Sequence, residues 1–247
     1  MRLPSTDTHT RPTPDRITAT WLGHASFVLR SPKGVRIVLD PWLVTNPACP
    51  EGAKKIDAAE LILVTHGHSD HTGDVVSVAR ATGAPVVAVF ELAGWFQKQG
   101  LRAVKGMNTG GHDTINGIDV IMVPAFHSSS VEDNGTPVYT GQPIGYVIRF
   151  ENKQTVYFAG DTALFRDMKT IRERYAPSIA FLPIGDLYTM GPEDAAIAAE
   201  WLGVRSVVPM HYGTFPALTG TPDMLRQFCR PKGIEVVEAR PGESITL

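Results

Sequence analysis

Short apolar runs recur along this chain, each broken by glycine, proline or a charged cluster. Residues 17–22 and 26–29 read as two strands joined at Gly23-His24-Ala25, and Ser31-Pro32-Lys33-Gly34 turns the chain into a third strand at 35–39. Three hairpin-connected strands predict an antiparallel start. Residues 61–65 are a buried strand by composition, and 74–80 carry helical spacing. Strands and helices then alternate. Strands are predicted at 85–90, 101–104, 118–123, 178–183 and 205–210, with a hairpin of 145–150 and 155–158 around Glu151-Asn152-Lys153. Helices are predicted at 91–99 and 163–175. Another opens at Pro192, where proline takes the first turn and Glu193 and Asp194 sit at the positive end of the helix dipole. A last helix and strand close the chain. Residues 131–141, polar and glycine-containing, read as a flexible loop. Residues 1–15 are rich in Thr and Pro and read as a dispensable tail, leaving 16–247 as one domain.

Composition narrows this picture. A hydrophobic content of 43% against 19% charged residues is enough to bury a large core, so the runs belong to a globular domain. A formal net charge of −2 leaves no basic footprint, which argues against nucleic acid as a partner and leaves a small molecule. Cys49 and Cys229 are far apart in the chain and suggest no disulfide framework, so a reduced, cytoplasmic setting is expected. No run is long enough to span a membrane, and no signal-peptide core is visible. A homo-oligomer fits as well as a monomer.

The candidate chemistry lies where the apolar runs stop. The strand at 61–65 delivers Thr65-His66-Gly67-His68-Ser69-Asp70-His71, with three imidazoles and a carboxylate within six residues. That is a dense set of metal-ligand types at a strand's carboxyl end, where α/β folds place their sites. His127, Asp161 and His211 each follow an apolar strand in the same way, and so does Asp186. Asp40 ends the third strand, where a carboxylate can fix the tautomer of a ligating imidazole. His24, in the first turn, reads as a hydrogen-bonded structural residue. Ser128, Ser129 and Ser130 have no acid–base partner in sequence and read as positioning residues.

The H-x-H-x-D-H run resembles the signature of the metallo-β-lactamase superfamily, and His127, Asp161 and His211 follow in that superfamily's order. The resemblance covers residues 16–247. It implies an α/β (α+β) fold, a four-layer αββα sandwich of two similar halves. It also implies a ligand set: His66, His68 and His127 on one metal, Asp70, His71 and His211 on a second, and Asp161 between them. Asp40 and His24 would support the ligands, and Asp186 would line the pocket or serve the structure. A narrower resemblance rests on Trp21-Leu22-Gly23-His24-Ala25-Ser26-Phe27, Ala159-Gly160-Asp161-Thr162 and Pro209-Met210-His211-Tyr212. These look like the bacterial and archaeal metal-dependent hydrolase branch, which is similar to ascorbate-6-phosphate lactonase and N-acyl-phosphatidylethanolamine phospholipase D. Gly213 departs from that branch, which usually has Asn there.

Two divalent ions roughly 3.5–4 Å apart can share a water and lower its pKa toward about 7. The expected activity is therefore hydrolysis of a small ester, lactone, amide or phosphodiester by metal-bound hydroxide, with Asp70 both ligand and proton acceptor. Imidazole-rich ligation favours zinc, although manganese, iron and nickel accept the same donors. Two other classes carry weight. A di-iron redox enzyme could use the same fold, but His68 stands where those enzymes typically have Glu. A metal-stabilised binding protein without turnover is the third reading.

Overall fold

Burial along the strands changes from the first to the later ones. Thr18–Trp21 is buried on alternate residues, whereas Leu61–Leu63, Val86–Val89 and Thr155–Phe158 are buried throughout. A strand covered on one face alternates, and a strand covered on both faces reads as a continuous apolar run. The computed structural model describes residues 16–247, so the predicted tail at 1–15 lies outside the described residues.

Among the described residues the strands form two seven-stranded mixed sheets and one separate hairpin. Across the first the order is Ser244–Thr246, Thr18–Trp21, Phe27–Arg30, Arg36–Leu39, Leu61–Leu63, Val86–Val89 and Val104–Met107. Its opening hairpins are antiparallel, as predicted, and pairing turns parallel from Arg36–Leu39 onward. Across the second the order is Glu235–Val236, Ser206–Met210, Ile179–Pro183, Thr155–Phe158, Ile144–Arg149, Ile118–Pro124 and His112–Ile115. Phe27 of the first sheet meets Phe181 of the second edge-on, with ring centres 4.9 Å apart. Val38, Ile62 and Val86 pack outward against Val75, Leu92 and Phe96 of the helices Val75–Thr82 and Phe90–Lys98. Helices Met168–Tyr175 and Pro192–Leu202 bury Met168, Ile171, Ala195 and Ala199 in the core they share with the second sheet. The result is the αββα sandwich expected from the sequence. Among the described residues no helix is long and apolar enough to cross a membrane.

Three local expectations are corrected. Residues 131–141 are not a loop. Ser130–Asp133 and Thr136–Tyr139 pair as a hairpin closed by Asn134-Gly135, both at positive φ (50° and 77°). Asn-Gly is a strong signal for such a two-residue turn. The helix predicted from 163 starts at Met168, because the chain before it is already committed. The Ala163 N–H donates to the Phe126 carbonyl, and the Thr162 carbonyl accepts from the Met190 N–H. The strand predicted at 101–104 is Val104–Met107, because the Leu101 N–H still donates back to Phe96 at the helix end. His112–Ile115 is a further strand, turned by Asn116-Gly117.

The two sheets are tied together at one end. The Ile144 N–H donates to the Thr65 carbonyl at 3.1 Å, and the buried Tyr146 hydroxyl lies 2.9 Å from the carbonyls of both Val64 and Val87. Removing that hydroxyl leaves buried carbonyls short of a donor, at a cost of about 1–2 kcal/mol. We therefore expect Tyr146→Phe to lower the denaturant midpoint with an unchanged slope. An unchanged midpoint would show that this tie contributes nothing.

Candidate metal centre

Asp40 organises the floor of the site. It is fully buried in a left-handed backbone conformation (φ 43°) and follows the strand Arg36–Leu39. Its Oδ1 accepts from the Thr65 N–H at 2.8 Å, and its Oδ2 accepts from the Thr65 hydroxyl at 2.7 Å. The same Oδ2 lies 2.8 Å from His71 Nδ1, which aims His71 Nε2 into the cavity. Both carboxylate oxygens are thus occupied, so Asp40 supports His71 and is not itself free to ligate.

The loop after Leu61–Leu63 is shaped by close contact. A Cβ on Gly67 would come within 2.3 Å of Thr140 Oγ1 and 3.0 Å of the Ser130 backbone, so the base of the 130–139 hairpin presses directly on it. His66 and His68 then lie on one side of the loop, with His66 Nε2 3.0 Å from His68 Nδ1. The short helix Ser69–Thr72 turns Asp70 and His71 the other way.

Six of the eight histidines converge here. Ligand atoms of His66, His68 and His127 lie within 4.8 Å of one another, and so do those of His24, Asp70, His71 and His211. Asp161 stands between the two sets. Its Oδ2 is 3.0 Å from His211 Nε2, 3.4 Å from His71 Nε2, 3.6 Å from His127 Nε2 and 4.0 Å from His66 Nε2. Gly160 makes this placement possible: at φ 61° it passes so close to Thr65 that a Cβ would sit 2.7 Å from the Thr65 Cβ.

His24 belongs to this site more closely than its turn position suggests. Its Nε2 lies 3.1 Å from Asp70 Oδ2 and its Nδ1 3.0 Å from the Thr214 hydroxyl. Burial lowers its pKa to about 4, so the ring is neutral at pH 7. A neutral ring with Nε2–H donating to Asp70 and Nδ1 accepting from Thr214 satisfies both contacts. His24 therefore orients Asp70, and through its carbonyl, which accepts from the His211 N–H at 3.0 Å, it also fixes the His211 turn. Asp186 lies elsewhere. It is exposed, and its Oδ1 accepts from the Leu187 N–H at 2.8 Å, so it shapes its own loop.

The donor set fits divalent cations. His71 Nε2, Asp161 Oδ1 and both ring nitrogens of His211 are buried without a hydrogen-bond partner. Such atoms are costly unless something binds them. Burial holds His66, His68 and His127 below their ordinary pKa, so they offer neutral imidazole lone pairs. Burial also opposes charge on His71, but the Asp161 and Asp40 carboxylates on either side outweigh it and hold His71 well above its ordinary value. Burial pushes the Asp161 carboxyl up, but His211 and His71 prevail and keep it well below the usual range. Asp70 is likewise depressed, burial being outweighed by His24 and His71.

The cavity beside these residues is about 250 Å³ and is also lined by Ser128, Tyr188 and Phe215. Sequence reasoning missed Tyr188 and Phe215. Neither is a ligand type, and only their proximity to the site distinguishes them. The Ser128 hydroxyl is 3.3 Å from His68 Nε2, consistent with positioning.

Comparison with known proteins extends this picture. A family profile described as "Beta-lactamase superfamily domain" matches residues 35–212. A UPF0173 metal-dependent hydrolase of Koribacter versatilis is 48% identical, over 91% of this chain and 96% of that protein. A UPF0173 metal-dependent hydrolase of Methanopyrus kandleri is 44% identical, over 91% and 97% respectively. Among solved structures, Igni18, a metallo hydrolase from Ignicoccus hospitalis, superposes with a TM-score of 0.83 at 36% identity, covering 94% of this chain and 98% of its own.

Two expectations follow from the geometry. With His71 protonated in the metal-free chain, a cation must displace that proton, so metal affinity should rise with pH and fall below the His71 pKa. Potentiometry in weak buffer should record net proton release on zinc addition near pH 7. Uptake without proton release would contradict the assignment of His71. Separately, Gly213 sits at φ 68° with open space around its Cβ position. Asn tolerates this conformation better than other residues. Gly213→Asn should therefore melt within a few degrees of the parent, whereas Gly213→Val should be clearly destabilised.

Proposed function

This chain belongs to the metallo-β-lactamase superfamily, among the UPF0173 metal-dependent hydrolases, and we propose that it cleaves a small ester, lactone, amide or phosphodiester at a dinuclear zinc site. The observation that carries the proposal is the position of Asp161 Oδ2, within 4.0 Å of imidazole nitrogens from both histidine sets. A single carboxylate so placed can serve two cations at once and offset part of their mutual repulsion, which neutral imidazoles cannot do. His66, His68 and His127 would hold one ion, and Asp70, His71 and His211 the other. Two divalent ions there would acidify a water and polarise the scissile group.

The two carboxylates divide the remaining work by exposure. The Asp161 side chain is 3% exposed and sealed in the floor, whereas that of Asp70 is 26% exposed and faces the cavity. Asp70 is therefore the group that can take a proton from attacking water and pass it to solvent. His24 holds one Asp70 oxygen by hydrogen bonding, leaving the other for coordination. Asp40 keeps His71 in the tautomer whose Nε2 is available. The two cysteines are buried free thiols, which fits a reducing, cytoplasmic setting.

Asp161→Ala tests the reading. We expect bound zinc per chain to fall below that of the parent and hydrolysis to drop by roughly 10³-fold or more, with far-ultraviolet circular dichroism unchanged. Asp186→Ala is the control and should retain its zinc. Depletion in Asp186→Ala with full occupancy in Asp161→Ala would reverse the assignment.

A further inference from the structure

The mouth of the metal cavity differs from its floor. Beyond the ligand residues and Ser128, its lining is Tyr188 and Phe215, with no lysine or arginine. Phe215 is fixed in place. Its ring stacks on Trp42 at 5.8 Å and meets the His24 ring edge-on at 5.5 Å, so this wall is preformed. Tyr188 is presented by a loop that pays for its shape in backbone conformation: Asp186 and Leu187 are both at positive φ (66° and 50°) although neither is glycine. The loop is held there by the Tyr188 N–H donating to the Asp186 carbonyl and the Asp186 N–H donating to the Met190 carbonyl. The outcome is exposure of two apolar side chains, Leu187 at 68% and Tyr188 at 56%. Phe126, next to the cavity-lining His127, is exposed as well. A strained backbone that holds an exposed aromatic side chain in the lining of a cavity is costly, and at such a place it points to ligand contact.

We propose that the substrate is a small uncharged ester or lactone whose scissile carbonyl sits at the metal cluster while an apolar, preferably aromatic, group lies between Tyr188 and Phe215. This inference rests on the hydrolytic reading above and specifies its substrate class. A phosphate or carboxylate elsewhere on the substrate would meet two rings there and no lysine or arginine, so it would lose part of its water without gaining an ion pair. A planar apolar group instead gains area and ring stacking there. In the reaction, the water oxygen bonds to the acyl carbon and the acyl C–O bond breaks. One water proton ends on the leaving alcohol oxygen, and Asp70 relays the other from the new acid to solvent.

The test uses zinc-loaded protein and three acetate esters: phenyl acetate, 4-acetoxybenzoate and methyl acetate. We expect kcat/KM for phenyl acetate to exceed that for 4-acetoxybenzoate by about tenfold or more, although the charged ester has the better leaving group. Tyr188→Ala, an exposed site whose truncation should not disturb folding, should shrink the phenyl-to-methyl ratio severalfold, through KM. A readout independent of turnover is ligand-observed NMR on metal-free protein, where acetophenone should bind more tightly than 4-acetylbenzoate and lose that binding in Tyr188→Ala. Preference for the charged ester, or binding of acetophenone unaffected by Tyr188→Ala, overturns the inference while leaving the hydrolase reading intact. If no ester, lactone, amide or phosphodiester is cleaved, the hydrolase reading fails, and this inference fails with it.

Discussion

The line Asp40–His71–Asp161 is the constraint on which the site depends. Two carboxylates face one imidazole, all three groups almost completely buried. Burial alone would neutralise each of them, but the carboxylates hold a proton on His71 and His71 helps keep Asp161 ionised. A buried charge array of this kind contributes little to stability unless its remaining valences are filled. Here protein atoms fill them only in part: Asp161 Oδ2 approaches His71 Nε2 and His211 Nε2 without forming a well-aligned hydrogen bond, and Asp161 Oδ1 and His211 Nδ1 have no hydrogen-bond partner. The fold has thus assembled a set of donors that a cation would complete, and that incompleteness is the physical argument for a metal centre.

Convergence of these donors is set by the stacking of the two sheets. His66, His68, Asp70 and His71 follow a strand of the first sheet, whereas His127, Asp161 and His211 follow strands of the second. Neither sheet holds a complete set. Phe27 against Phe181 fixes their packing in the core, and Ile144 with Tyr146 ties the end of one to the end of the other beside Thr65. Three site residues, His24, Asp40 and His211, adopt positive φ without being glycine. Such conformations persist only where their surroundings over-determine them, and each here is held by hydrogen bonds to another member of the site.

Much of this was legible in the sequence because it obeyed local rules. The strands at 61–63, 118–124, 179–183 and 206–210 are apolar runs ending in a polar residue, and the ligands stand where the runs stop. The strands at 112–115, 130–133 and 136–139 were missed although Asn116-Gly117 and Asn134-Gly135 mark their turns, because they are mostly exposed and carry no apolar run. The late start of the helix at Met168 depends on hydrogen bonds from Thr162 and Ala163 to segments roughly thirty residues away in either direction, which no window can contain. From the sequence, His24 could be placed near the ligands as a supporting residue, but not paired with a partner. Its role appears when Asp70 and Thr214, distant in the chain, are brought to its two nitrogens.

The floor and the mouth of the cavity obey different physics, and this explains why the sequence declared one and concealed the other. Metal ligation requires particular residue types at fixed spacing, so the floor is written in histidine and aspartate. An apolar wall can be built from any of several large side chains, provided that something holds them out. Phe215 is held by stacking on Trp42, and Tyr188 by the strained turn at Asp186 and Leu187. Gly213 lies between His211 and Phe215, so the turn that aims a ligand also sets the wall. A change in this turn therefore bears on the shape of the mouth and on the aim of His211 together, whereas the donors carried by the other loops stay in place.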